Sequence, residues 1–261
     1  MSQPLHQDLV RCLTEETLPP VWSLLVTVFG DLAQAPGAQV SGRALSSLGD
    51  AIGVKPAALR VALHRLRKDG WIESRRSGRG SFHQLTETGL QQSIAATPRI
   101  YGTARPSAEA YLSVFDRMGD KTFPEGVWVM PNTLISAADP LSGNAFTTPL
   151  SPDSRLPEWM CEKICPRETL AQAIAFAERL DRCVRLMEEA RAVSVRDIAV
   201  LRVLVVHGWR RIVLKVPALP DHLFPELWPG HTCRGHVRQL LLDYPRVDLA
   251  ELGALSGVES S

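Results

Sequence analysis

The chain has 261 residues, 45% of them hydrophobic and 22% charged, with a formal net charge of +1. That is the make-up of a globular protein, long enough for one large domain or two to three small ones. No apolar run reaches the roughly 18–20 residues of a membrane span, and MSQPLHQDLVRCL lacks the basic start and apolar core of a secretory signal. A cytoplasmic protein is therefore expected, with no membrane partner and with reduced thiols at Cys12, Cys161, Cys165, Cys183 and Cys233.

In chain order, residues 1–20 are polar and end at the boundary LPP. VWSLLVTVFGDLAQ is apolar on more than one face, as a first core helix is. After the loop APGAQVSG, Ser41 is placed to cap GRALSSLGDAIG, which Gly53 ends. KPAALRVALHRLRKDG follows, with Pro56 in the first turn and Gly70 as the stop. Leu59, Leu63 and Leu66 lie four and three apart on one helical face. WIESRRSGRGSFHQLT alternates like two short strands around a Gly-containing turn, and ETGLQQSIAATPRI is a further helix.

Helix, helix, helix, hairpin is the order of a winged helix-turn-helix, taken to span 20–98. From Lys55 to Arg79 the sequence holds eight Lys/Arg against two acids, a local charge of +6, so the rest of the chain sums to −5. Arg60, His64, Arg65 and Lys68 point away from the leucine face, and Arg75, Arg76 and Arg79 crowd the hairpin tip. A helix fits the major groove of DNA, and a basic hairpin grips the flanking backbone. A solvated basic face is the ordinary reading of any one of these residues; order and charge together favour double-stranded DNA. Arg60 and His64 are expected at base edges with Lys55 near the helix start, and Arg65, Arg75, Arg76 and Arg79 mainly on phosphates.

Further on, YLSVF, GVWVM and NAFTTPL read as strands, and PNTLISAADPLSGN as a connection with turn residues. They suggest a small α+β domain over 104–165. From Glu168 a long amphipathic helix carries Leu170, Ile174, Ala177, Leu180, Val184 and Met187 at three- or four-residue spacing, a stripe suited to a core or to part of a dimer surface. DIAVLRVLVVHGWRRIVLK is another apolar helix. With LPDHLFPELWPGHTCRGHVRQLLLDY it completes a helical C-terminal domain over 168–250.

Catalytic and cofactor signals are weak. There is no Walker-type loop and no G-x-S-x-G elbow, and the lone G-x-G of SGRGS lies in the basic hairpin. Cys161 and Cys165, four apart, lack the further ligands zinc needs. Asp116, after YLSVF, is a single carboxylate. No enzyme, metal or cofactor is expected.

The chain resembles the PaaX family of transcriptional repressors of phenylacetic-acid catabolism. The likeness rests on SLLVTVFGD at 23–31, LRVALHRLRKDGWIESRRSGRGSFHQLTETG at 59–89, RIYG at 99–102, GVWVMP at 126–131 and LPDHLFPELWPG at 219–230. The most specific part is R-x-x-x-x-R-L-x-x-x-G-W followed by the hairpin and L-T-x-x-G. The resemblance implies a homodimeric repressor on a palindromic operator, released by an aryl-acyl-CoA such as phenylacetyl-CoA. It also implies a ferredoxin-like middle domain similar to Cas2 nucleases, which place a metal-binding Asp after their first strand, where Asp116 stands. The fold expected is thus α+β: winged helix-turn-helix, ferredoxin-like middle, helical C-terminus. Trp209, Arg210, Arg211 and Trp228 are effector candidates by residue type. The chain departs from the family in the short segment between YLSVFDR and GVWVM, and at Val216, where the family tends to carry Asp. A metal-dependent nuclease using Asp116 and a winged-helix protein-interaction module are the alternative readings.

Overall fold

The structure, a computed structural model, describes residues 4–14, 17–78, 80–102, 109–116, 126–139 and 144–254. The chain opens with α1 (Leu5–Thr14) and α2 (Val21–Leu32), then β1 (Val40–Ser41), α3 (Gly42–Ile52), α4 (Pro56–Lys68), β2 (Ile72–Ser77), β3 (Gly80–Leu85) and α5 (Glu87–Tyr101). Four strands follow: β4 (Ala110–Phe115), β5 (Gly126–Met130), β6 (Thr133–Ser136) and β7 (Ala145–Leu150). The rest is helical: α6 (Glu158–Ile164), α7 (Arg167–Glu189), α8 (Val195–Val213), α9 (Gly230–Asp243) and α10 (Leu249–Ala254), with a 3₁₀ turn over Asp221–Leu223. The fold is α+β, with two small antiparallel sheets of order β1-β3-β2 and β5-β6-β4-β7.

Local chemistry sets the N-terminal elements. The Ser41 hydroxyl accepts from the Ala44 amide and starts α3, and Gly53 ends it at φ +87°, a left-handed conformation that costs a side-chain-bearing residue about 1–2 kcal/mol. Only Gly53, Val54 and Lys55 separate α3 from α4. At the end of α4, the Gly70 amide donates to Arg67 O and the Trp71 amide to Leu66 O, so the chain turns straight into β2. The β2–β3 register runs from Ile72 opposite Leu85 to Ser77 opposite Gly80, leaving a two-residue loop with Gly78 at φ +57°. β1 pairs on the other side of β3, Val40 opposite His83.

The N-terminal and C-terminal helices share one core. α8 buries thirteen side chains, with Val200, Leu201, Val203 and Val205 fully inaccessible. A helix buried over most of its surface needs neighbours on several sides, and α1, α2, α3, α5, α7, α9 and α10 pack around it. One cluster therefore joins Phe29, Leu45 and Leu66 to Leu180, Leu201 and Val237. A second joins Ala110, Val129 and Ile135 of the four-stranded sheet to Ile164, Leu219 and Leu223.

Three expectations are corrected. Residues 5–14 form α1, whose Leu9 and Leu13 are buried against α8 and α7; Leu5, Leu9 and Leu13 are four apart, a helical stripe hidden in a polar stretch. TLIS, taken as part of a connection, is the strand β6, buried at all four positions between β4 and β5; its continuous burial removes the alternation that marks a strand. On α7 the buried line runs Ala173, Phe176, Leu180, Cys183 and Met187, turned from the expected stripe, and it faces α1, α8 and α9 of the same chain.

Candidate nucleic-acid interface

α4 is split lengthwise. Leu59, Ala62, Leu63 and Leu66 are buried, and Ala57, Arg60, Val61, His64 and Lys68 are exposed on the other side, with Lys55 just before the first turn. Lys55, Arg60, Arg67 and Lys68 have no acidic partner among the described residues, so that face keeps its positive charge. Arg65, at its edge, is already held: its guanidinium lies 4.5 Å from the centre of the Trp22 ring, and its Nε is 3.5 Å from Asp69. Such a cation–π contact on an exposed ring is worth about 0.5–1 kcal/mol, enough to fix the side chain's direction without neutralising it.

The hairpin is braced by polar side chains. Arg75 Nη2 donates to Gln39 Oε1 at 2.9 Å, Gln39 Nε2 to Gln84 Oε1 at 2.9 Å, and Gln84 Nε2 to Glu73 Oε1 at 2.5 Å. Ser74 Oγ lies 2.7 Å from Nδ1 of the buried His83. Burial, helped by Arg67, holds the His83 ring below its ordinary pKa and therefore neutral. Arg76 stands exposed next to Arg75. Arg79 lies outside the described residues.

The structure thus gathers Lys55, Arg60, His64, Arg65, Lys68, Arg75 and Arg76 on α4 and the hairpin. Sequence reasoning passed over Val61, Trp22 and Gln39. Val61 is 70% exposed between Arg60 and His64, and its place off the leucine spacing was the available signal. An exposed valine on a basic helix can meet a thymine methyl. Nothing in the sequence near Trp22 or Gln39 announces that they support Arg65 and Arg75.

The four effector candidates are dispersed. Trp209 is 1% exposed, and its Nε1 donates to Ile100 O, so it is a core residue. Arg210 clamps α2: Nε donates to Thr27 Oγ1 at 2.8 Å, and Nη2 to Ser23 O and Oγ at 2.9 and 2.8 Å. Arg211 is exposed at a groove between α7 and α8. Trp228 stacks on Phe224 at 4.7 Å beside a cleft of about 1060 Å³ under α6.

Other chemistry is sparse. Asp116 follows β4, and among the described residues no three His, Cys, Asp or Glu stand together as a metal site. All five cysteines are unpaired, and burial raises their pKa, to about 12 for Cys183 and Cys233. No helix among the described residues is long and apolar enough to cross a membrane.

Comparison with known proteins agrees with these features at both ends of the chain. Residues 21–89 match the family model of PaaX-like proteins, which covers α2 through the hairpin, and residues 167–246 match that of the PaaX-like C-terminal domain, which covers α7 to α9. The Escherichia coli (strain K12) transcriptional repressor PaaX is 28% identical over 267 residues, covering 90% of this chain and 82% of that one. A solved structure of an uncharacterized protein from Mycobacterium tuberculosis superposes with a TM-score of 0.47 at 18% identity, covering 91% of this chain and all of that one. Fold and exposed basic face together describe an α+β regulator. The chain belongs to the PaaX family.

Proposed function

We propose that the protein is a cytoplasmic transcriptional repressor. It binds a palindromic operator as a homodimer through a winged helix-turn-helix and is released by an aryl-acyl-CoA such as phenylacetyl-CoA. The observation that carries this reading is the exposed basic face of α4 running into the hairpin that bears Arg75 and Arg76. The order α2-β1-α3-α4-β2-β3, the three-residue turn at Gly53 and the β1–β3 pairing support a winged helix over 20–98. In this reading α4 enters the major groove, Arg60 and His64 face base edges with Lys55 near the helix start, and Arg65, Lys68, Arg75, Arg76 and Arg79 hold phosphates. One such module makes a modest interface of roughly 600–1,000 Å², and a twofold dimer doubles it.

The order β5-β6-β4-β7, antiparallel throughout, supports a ferredoxin-like middle domain over 104–165. Only eight residues, 137–144, join β6 to β7, short of the dozen or so of a helical crossover, which supports a trimmed version. The helical part over 168–250 is the proposed effector and dimerisation domain.

The test is fluorescence anisotropy with DNA from upstream of the protein's own gene, against scrambled DNA, at two salt concentrations, with and without phenylacetyl-CoA. Selective, salt-sensitive binding abolished by the thioester is expected. Equal binding to all DNA, or none, would refute the repressor, and magnesium-dependent cleavage lost in Asp116→Ala would establish the nuclease instead.

A further inference from the structure

Val61 is 70% exposed in the middle of the outer side of α4. The outermost line of that helix is Ala57, Val61, His64 and Lys68, spaced four, three and four, opposite the buried Leu59, Ala62, Leu63 and Leu66. The half of the line nearer the N-terminus, Ala57 and Val61, is apolar. The other half carries the imidazole and the ammonium, and Arg60 stands exposed beside Val61.

Folding does not explain a valine there. A β-branched side chain loses χ1 freedom in a helix, so Val61 supports α4 less than Ala, Lys or Glu would. Among the described residues it joins neither apolar cluster. A lone exposed apolar residue is ordinary on a protein surface; this one is set apart by its surroundings. Lys55, Arg60, His64 and Lys68 stand exposed around it and Ala57. A surface that matches them is polyanionic and carries one small apolar group. The major groove at a thymine is built that way, with phosphates on both sides and a 5-methyl group projecting from the base edge.

We infer that Val61, with Ala57 beside it, reads the 5-methyl group of a thymine at one position of each operator half-site. The inference rests on the reading of α4 as the element that enters the major groove, and it adds an apolar contact to the polar ones assigned to Arg60 and His64. Ala57 and Val61 lie in the first two turns of α4, the part of a recognition helix that meets base edges. Arg60 and Val61 are consecutive, so the polar edge and the methyl group belong to the same base pair or to adjacent ones. Cytosine lacks the methyl group; 5-methylcytosine carries it and is the other source of the same contact.

The experiment starts by selecting the preferred sequence from random duplex DNA with the full chain. Each thymine of that sequence is then replaced by deoxyuridine in both half-sites, which removes the methyl group and keeps the base pair. Anisotropy gives the affinity of the parent and of Val61→Ala, a substitution that raises helix propensity at an exposed site and so leaves α4 formed. At one thymine, deoxyuridine should weaken the parent about fourfold per half-site and leave Val61→Ala unaffected. Val61→Ala should itself be weakened to the same extent on the thymine operator and unchanged on scrambled DNA, since no charge is lost. Where no thymine responds, each cytosine is methylated at C5; a gain in the parent that Val61→Ala lacks assigns the contact to methylated cytosine. The inference is overturned if neither change affects the parent at any position, if the two proteins respond equally, or if Val61→Ala loses scrambled DNA as much as the operator. Those results leave selective DNA binding, and with it the repressor reading, intact. A chain that enriches no sequence overturns both.

Discussion

The buried pair Asp31–Arg202 is the joint between the N-terminal and C-terminal helices, and its removal can be predicted in magnitude. Asp31, at 1% exposure on α2, accepts from Arg202 Nε at 2.9 Å and Nη2 at 2.8 Å and from the Tyr101 hydroxyl at 2.7 Å. Arg202 on α8, 3% exposed, also donates to the carbonyls of Leu241 and Tyr244, at 3.1 and 2.6 Å. Asp31→Ala strands a guanidinium in the core and leaves the Tyr101 hydroxyl without its acceptor. Breaking a buried pair by removing one partner costs about 3–5 kcal/mol, a large share of the roughly 5–15 kcal/mol that holds a protein folded. The two remaining carbonyl bonds of Arg202 put the expected loss near the lower end of that range. Asp31→Ala with Arg202→Met removes both charges together and should recover at least about 2 kcal/mol relative to the sum of the two single changes. Urea unfolding followed by tryptophan fluorescence measures all four states of the cycle. A single-variant loss below about 1 kcal/mol, or strict additivity, would refute the claim that the pair joins the two halves.

Arg60→Ala should relax operator discrimination by about 1–3 kcal/mol. Arg76→Ala should weaken all DNA alike and flatten the salt dependence by about 0.9 in slope for each phosphate that is no longer neutralised; both are read by anisotropy at several salt concentrations. Burial, with Arg210 and Arg211 adding to it, pushes the His207 pKa from 6.5 down to about 3. The native ring is therefore neutral where the unfolded one takes a proton. Its stabilising contribution is complete above pH 6.5 and falls on acidification toward pH 3, at up to about 1.4 kcal/mol per pH unit; His207→Gln should show a shallower loss of stability between pH 6.5 and 4.5 in urea unfolding. A fragment of residues 17–102 lacks α8 and exposes the inner side of α2, so broad, non-cooperative thermal unfolding by circular dichroism is expected where the full chain unfolds sharply.

The N-terminal elements were legible because their signals are local. Ser41, Gly53, Pro56 and Gly70 each act within a turn of their own position, and Leu59, Leu63 and Leu66 define the buried side of α4 without knowledge of any partner. The exposed basic face follows by subtraction. What stayed hidden depends on residues distant in the chain. TLIS is a strand because β4 and β5 flank it, not because its pattern alternates. Trp209 and Arg210 carry the residue types of a ligand site, yet one fills the core beneath Ile100 and the other is spent on Ser23 and Thr27. Only the fold distinguishes an arginine that holds a helix from one, like Arg211, that stands exposed.

That difference bears on how a regulator of this build works. α2 lies between α4 and α8 and packs on both. Its early turns are fixed from the C-terminal side, Ser23 and Thr27 by Arg210 and Thr27 also by His207, while Trp22, one residue before Ser23, faces outward beneath Arg65. A helix is stiff along its axis, so a shift at Ser23 carries Trp22 with it. The direction of Arg65 therefore depends on contacts that α8 makes about 180 residues further along the chain. The basic face owes its charge to the sequence of α4 and its orientation to α8. Any contact that favours one placement of α2 over another can then redirect Arg65 without touching a basic side chain of α4.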